Sequence, residues 1–480
     1  MTDPKLILVT GATGYVGGQL IPPLLEQGYQ VRALVREPRK VSGLAWSTKV
    51  QIASGDVLAP ETLESALRGV DAAYYLVHSM TGGSEFAKQD IVAARNFGEA
   101  AKKAGIGRVV YLGGLGSPGA QLSEHLRSRQ ETGEALRRSG VRLTEFRAAV
   151  IVGAGSISFE MIRYLAERVP IMICPRWVRT KVQPIAIQDV VSYLVASLRK
   201  PESADQIIEI GGTDVLTYGD MMKKYARVRG LHRWLLHVPV LTPRLSSYWV
   251  HWVTPISAAY ARPLIEGLRN EVIVTDDKAS RLFPEIKPSG YERAVSQALS
   301  QSDPDCFVPG FATAEGAERS AFLKETQNGM IVEIRQKVVR SDVQAVYEAF
   351  TGLGGTNGWP CNLAWCVRAA IDRMVGGVGM RRGRHETDNI EPGDTIDFFR
   401  VVKVKANRMI RLKAEMKLPG EGWLQFEVEP IQDNLTRLVQ SVFFAPKGLL
   451  GIIYWYLLYP IHKLIFAGML RKLAMMAERQ

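Results

Sequence analysis

Gly11, Gly14 and Gly17 follow directly on the apolar run Leu6–Val9, and Gln19–Gln27 after them reads as a helix with one apolar face. A strand, a G-x-x-G-x-x-G turn and a helix start make a phosphate cradle. Gly11 permits the tight turn, Gly14 lets the backbone approach an anion, and Gly17 allows close packing of helix on strand. The helix N-terminus supplies free amides and a partial positive charge. Thr13, Tyr15 and Val16, interleaved with the glycines, are counted with the site.

Gln30–Val35 reads as a second strand, ending at Arg36. At this distance past the glycines a dinucleotide site places an acid on the ribose hydroxyls of NAD, or an arginine on the 2′-phosphate of NADP. Here the acid is missing and Arg32 and Arg36 flank the strand end. NADP(H) is therefore the expected cofactor, with NAD(H) the alternative. A plain pair of surface arginines competes with this reading, because Glu37 follows at once.

The elements that must hold this cradle alternate. Val50–Ala53, Asp71–Val77, Arg108–Leu112 and the stretch 144–153 read as further strands, with helices at Glu61–Leu67, Glu85–Lys103 and Ser158–Arg168 between or after them. Ile207–Gly212 adds a late strand and Tyr218–Val228 a helix. Strands and helices in turn predict an α/β fold, a doubly wound parallel sheet with ligands at the carboxyl ends of its strands.

TGATGYVGG, VRALVRE, GDV, YYLVHSM, LRRSGVRLTEFRAAVIVG and VQPIAIQDVVSYL together resemble the atypical, extended-type short-chain dehydrogenase/reductases, epimerase-like and nitrogen-regulator-like members included. The likeness covers about residues 5–300. It implies a Rossmann domain over 1–305, with a small substrate subdomain at about 155–180 and 230–300. It also implies cofactor contacts at Asp56, Val57, Val77, His78, Gly113, Gly114, Ala148 and Ala149, the two alanines facing the nicotinamide.

The same resemblance exposes a gap. The family's Tyr-x-x-x-Lys belongs on the helix after the fifth strand, where this chain reads SEHLRSRQETGEAL. His125 falls where the tyrosine belongs and Arg129 where the lysine belongs, while Gly113 and Gly114 replace the usual serine. Either His125 is a general acid with Arg129 on ribose or phosphate, or both are polar residues on an exposed helix and the protein binds NADP(H) without catalysis. Tyr459–Lys463, which matches the pattern, lies in the other domain and is read as chance.

Arg176, Arg179 and Lys181 lie in a proline-broken stretch that resembles a substrate loop, where they either meet an anionic group or are solvated. Trp234, Trp249, Trp252 and Tyr260 read as helix packing in preference to a lipophilic lining.

Formal charge is +12 over 480 residues, of which residues 306–480 carry +5, and no block of like charge stands out. Solvated surfaces explain this better than a nucleic-acid stripe. The four cysteines have neither metal-ligand nor disulfide-framework spacing, so no metal site and a reducing, cytoplasmic location are expected. Met1 leads straight into the first strand, which leaves no room for a signal peptide.

Residues 306–327 suit a linker. Beyond it, Met330–Val339, a helix capped by Ser341 or Asp342, four strands between Asp397 and Phe444, and Gly448–Glu478 resemble the START-like helix-grip (SRPBCC) fold over 328–480. That likeness implies an apolar cavity around the last helix. Gly448–Leu470 has spanning length, yet holds Pro460, His462, Lys463 and mid-segment aromatics. It reads first as a core helix and second as a peripheral membrane contact.

The leading function is an NADP(H)-dependent oxidoreductase acting on a small or lipophilic carbonyl or quinone-type substrate. The alternative is a non-catalytic NADP(H)-binding redox sensor or assembly factor, and an epimerase ranks third. The oligomeric state is open.

Overall fold

A computed structural model describes residues 5–41, 44–78, 83–116, 122–238, 250–300, 322–325, 329–355, 358–360, 362–374, 376–379 and 390–479. The chain forms two compact units, built mainly on residues 1–301 and 314–480.

In the first unit a seven-stranded parallel sheet runs through β1 (Leu6–Thr10), β2 (Gln30–Val35), β3 (Gln51–Ser54), β4 (Ala72–Tyr75), β5 (Arg108–Gly114), β6 (Leu143–Ala148) and β7 (Ile207–Ile210). Its order is β7-β6-β5-β4-β1-β2-β3. The order reverses between β1 and β4, and there the glycine turn leaves β1. Ile7 and Val9 pack into one hydrophobic layer and Leu8 into the other. Burial on both faces is why the strand is an unbroken apolar run.

Helix α1 (Tyr15–Glu26) begins a turn earlier than the expected Gln19, because Gly14 in extended conformation serves as its N-cap. The remaining helices used below are α2 (Leu63–Leu67), α3 (Gly83–Lys103), α4 (Glu124–Arg138) and α5 (Ile157–Arg168). The strand expected over 144–153 is two. The chain leaves the sheet after Ala148, and Ile151–Val152 pairs in parallel with Ile185–Ala186 instead.

In the second unit a seven-stranded antiparallel sheet packs against the helix Gly448–Ala477. Most of the expected linker lies outside the described residues. Phe322–Glu325 within it is a strand, antiparallel to Ile331–Val339. Asp342, not Ser341, caps the next helix, accepting from the Ala345 amide at 2.7 Å. Ile331–Val339 is the expected strand, but its burial does not alternate, and both faces of its first half are buried. Glu333 and Arg335 are sealed beside Ile331 and answer each other as an ion pair, which a buried charge requires.

The final helix departs from the expected core helix. Its second half supplies Ile465, Phe466, Met469, Leu470 and Leu473 to the core, but in its first half only Gly448, Gly451 and Trp455 are buried. It is the one described helix long and apolar enough to cross a membrane, and its most apolar stretch is only 17% buried.

Candidate functional site

The cradle begins at a cross-link. The Thr10 hydroxyl donates to the Tyr74 carbonyl at 3.1 Å and accepts from the Leu76 amide at 3.0 Å, locking the carboxyl ends of β1 and β4 together. The chain then turns at Gly11, whose φ of +64° suits glycine and where a Cβ would stand 2.7 Å from the Leu76 carbonyl oxygen. A Cβ on Gly17 would stand 2.3 Å from the Gly11 oxygen, so α1 packs on its own turn only because Gly17 has none. A Cβ on Gly14 would meet only the Gly11 oxygen, at 3.1 Å. Gly14 caps α1 with no side-chain bond and the first turn holds no acid. Its amides therefore present donors and a positive dipole end to an anion. These features fit a dinucleotide diphosphate.

The same cleft takes in the ends of β4, β5 and β6 and one face of α4. It holds about 250 Å³ and is lined by Gly11, Gly14, Tyr15, Val16, Gly17, His78, Gly113, Gly114, His125, Arg129, Ala148 and Ala149 among others. Twelve residues expected at the site from sequence thus converge. A Cβ on Gly114 would stand 3.1 Å from Leu126 and 3.5 Å from the Arg129 side chain, so the glycine that replaces the usual serine lets α4 close on the strand end.

Arg129 is half-buried and donates from Nη2 to the Leu112 carbonyl at 2.6 Å, while its own carbonyl accepts from the Tyr111 hydroxyl at 2.8 Å. His125 sits one turn away. Burial, and then the Arg129 charge, push its pKa down to about 4. At neutral pH it is a neutral imidazole, able to donate a hydrogen bond but without the extra proton of an imidazolium. That state favours hydrogen-bond donation over the general-acid role expected for it. His78 keeps a solvent-accessible face although it lies deep among protein atoms; that desolvation, then Arg129 and His125, hold its pKa well below the ordinary value.

Among the described residues, neither tyrosine that lines the cleft replaces the missing one. Tyr15 carries a buried hydroxyl with no hydrogen-bond partner among the described residues, and its pKa is raised by burial and then by Glu160. Tyr218 is raised by burial alone. A lysine-activated tyrosine would be shifted downward.

Thr13, Arg36, Asp56, Val57 and Val77 do not line this cleft. Thr13 and Arg36 are exposed. The Asp56 carboxylate accepts from the Leu58 amide at 3.0 Å, and Val57 is a core residue whose carbonyl accepts from Asn96 at 3.2 Å. Arg32 is committed elsewhere, donating to the Ala66 and Arg68 carbonyls at 2.8 Å each and so capping α2.

Sequence reasoning missed the far wall. Met161 and Ile162 from α5, with Tyr218, Leu264, Leu268 and Val272, make it largely apolar. These residues carry no motif, and only folding brings them together. The expected loop cations Arg179 and Lys181 are exposed and do not line the cleft; the Arg176 side chain lies outside the described residues. Trp234 and Trp252, read as helix packing, are 73% and 88% exposed, while Trp249 and the Tyr260 side chain lie outside the described residues. Among the described residues no His, Cys, Asp or Glu cluster is placed to hold a metal.

Residues 11–154 match the family model described as NAD(P)H-binding. The first unit therefore has a Rossmann-type fold, and residues 11–154 are similar to NAD(P)H-binding proteins. Residues 330–469 match a family described only as a protein of unknown function (DUF2867). The photosystem II assembly factor Ycf39 of Cyanophora paradoxa is 28% identical over 239 residues, 49% of this chain and 72% of that protein. The ceramide reductase of Caulobacter vibrioides is 28% identical over 246 residues, 50% of this chain and 75% of that one. Among solved structures, the Citrobacter sp. triphenylmethane reductase complexed with NADP(H) is similar at a TM-score of 0.50 and 22% identity, covering 61% of this chain and 99% of that one. That likeness shows the fold.

Proposed function

We propose that the protein is an NADP(H)-dependent reductase of a lipophilic carbonyl or quinone-type compound. The observation that carries this is one cleft in which an anion cradle, the His125–Arg129 pair and an apolar wall adjoin. NADPH, when bound, would supply a hydride. The first-turn amides of α1 would hold its diphosphate and Arg36 its 2′-phosphate, while Ala148 and Ala149 leave room for the nicotinamide. Neutral His125 would donate a hydrogen bond to the substrate oxygen, where negative charge grows, and the Arg129 cation would hold the cofactor's ribose or a phosphate. The proton would then come from solvent. The reductases among the similar proteins support this class of reaction.

The missing Tyr/Lys pair, together with the likeness to an assembly factor, favours a second reading: an NADP(H)-binding protein without turnover. We read the second unit as a helix-grip fold, on the strength of its sheet packed against the last helix.

The experiment is a fluorescence titration with NADPH and NADH, followed by 340-nm assays against quinones, aldehydes and enones. Turnover that survives in wild type and falls about a hundredfold in His125→Phe supports the reductase and lies within the usual range for one positioned polar group. Tight NADPH binding with no turnover across the panel sinks it and leaves the second reading.

A further inference from the structure

The first half of Gly448–Ala477 presents an apolar face to solvent. Leu450, Leu457 and Leu464 are 75%, 73% and 74% exposed, and Ile453, Tyr456 and Ile461 are about half exposed beside them. At 3.6 residues per turn these side chains cover an arc of roughly 140° and a length of ~21 Å. The opposite side, with Trp455, is held on the sheet, where its ring stacks on Phe444 at 5.1 Å between centroids. The helix therefore lies along the domain surface with its outer face uncovered.

Charge says what covers it. No Asp or Glu occurs between Asp433 and Glu478, while Arg437, Lys447, Lys463, Arg471 and Lys472 do. Lys447 precedes the apolar stripe, Arg471 and Lys472 follow it, Lys463 lies along its flank, and these four are exposed. A cation-flanked apolar face matches an anionic bilayer surface, whose headgroups meet the charges while the acyl region takes the leucines. Pairing with a second copy is the poorer match. The face is broader than the two-in-seven seam of a coiled coil, and neither helix would offer carboxylates to the other's cations. Spanning is opposed by Pro460, His462 and Lys463 and by the sheet on the other side.

We infer that the protein docks on anionic lipid bilayers through the outer face of residues 448–464, lying in the interface plane. The inference stands apart from the cofactor reading, because its readout needs no nucleotide.

The test is co-sedimentation of the full chain with phosphatidylcholine–phosphatidylglycerol vesicles and with pure phosphatidylcholine vesicles, at low and high salt. Binding to the anionic vesicles that salt weakens is expected. Leu457→Glu/Leu464→Glu should lose at least tenfold in affinity with an unchanged melting temperature, since both side chains face solvent. Lys447→Gln/Arg471→Gln/Lys472→Gln, which removes no packing, should lose the salt-sensitive part. Absence of vesicle binding by the wild type overturns the inference, as does undiminished binding by both variants. A concentration-dependent dimer that the leucine variant dissociates, without vesicle binding, assigns the face to a second copy instead.

Discussion

Arg129 donates from Nη2 to the Leu112 carbonyl oxygen at 2.6 Å, which ties the cation on α4 to the carboxyl end of β5. Its charge thereby stays at the cleft beside His125. Arg129→Ala should weaken NADPH binding about tenfold, the scale of one charge-assisted contact, and Arg129→Lys should recover part of it. Because the Tyr111 hydroxyl bonds the backbone of residue 129, the melting temperature should change little. Fluorescence titration beside a thermal melt checks this, and full affinity in the alanine variant refutes it.

Gly14 and Gly17 should fail differently. A Cβ on Gly14 meets one tight contact, the Gly11 oxygen at 3.1 Å, so Gly14→Asp should cost less stability than a change at Gly17 and lose NADPH binding through steric and charge conflict with the diphosphate. Gly17→Ala places a Cβ against the Gly11 oxygen. It should cost about 2–3 kcal/mol of stability, as overpacking does. Denaturant unfolding and cofactor titration separate the two effects.

Arg36→Ala should weaken NADPH about tenfold and leave NADH nearly unchanged, since a single charged contact with the 2′-phosphate is lost. Equal losses for both would refute that assignment. Arg32→Ala should not discriminate between them, because Arg32 is spent on the end of α2.

Acid should destabilise the fold between about pH 6.5 and pH 4. Burial, then Arg129, holds His125 at about 4, and burial, then Arg368, does the same for His462. An unfolded histidine takes up a proton near 6.5. In this window the unfolded chain binds more protons, so the contribution is full above the window and is lost as pH falls through it. Thermal melts across the range should show the decline, and His125→Gln/His462→Gln should flatten it. An unchanged slope in the double variant would refute the assignment.

The glycine cradle was legible because its chemistry is local. A diphosphate needs glycines at fixed offsets and a helix start, and a chain can satisfy that within Gly11–Gly17. His125 and Arg129 were found by their offset along one helix. Their protonation was not, because the depressed pKa of His125 comes from burial that no neighbouring residue type announces. The exposed tryptophans and the spent Arg32 misled for the same reason, since exposure and partners are properties of position.

The sequence alone settled the alternation of strands and helices, the glycine cradle and the change of pattern beyond residue 328, all written in periods of a few residues. Only the tertiary structure decided that α5 and residues 263–272 wall the cleft with apolar side chains, and that the last helix buries one half while exposing the other. Those outcomes depend on which distant surfaces meet, and an apolar residue reads the same in a chain whether a neighbour covers it or water does.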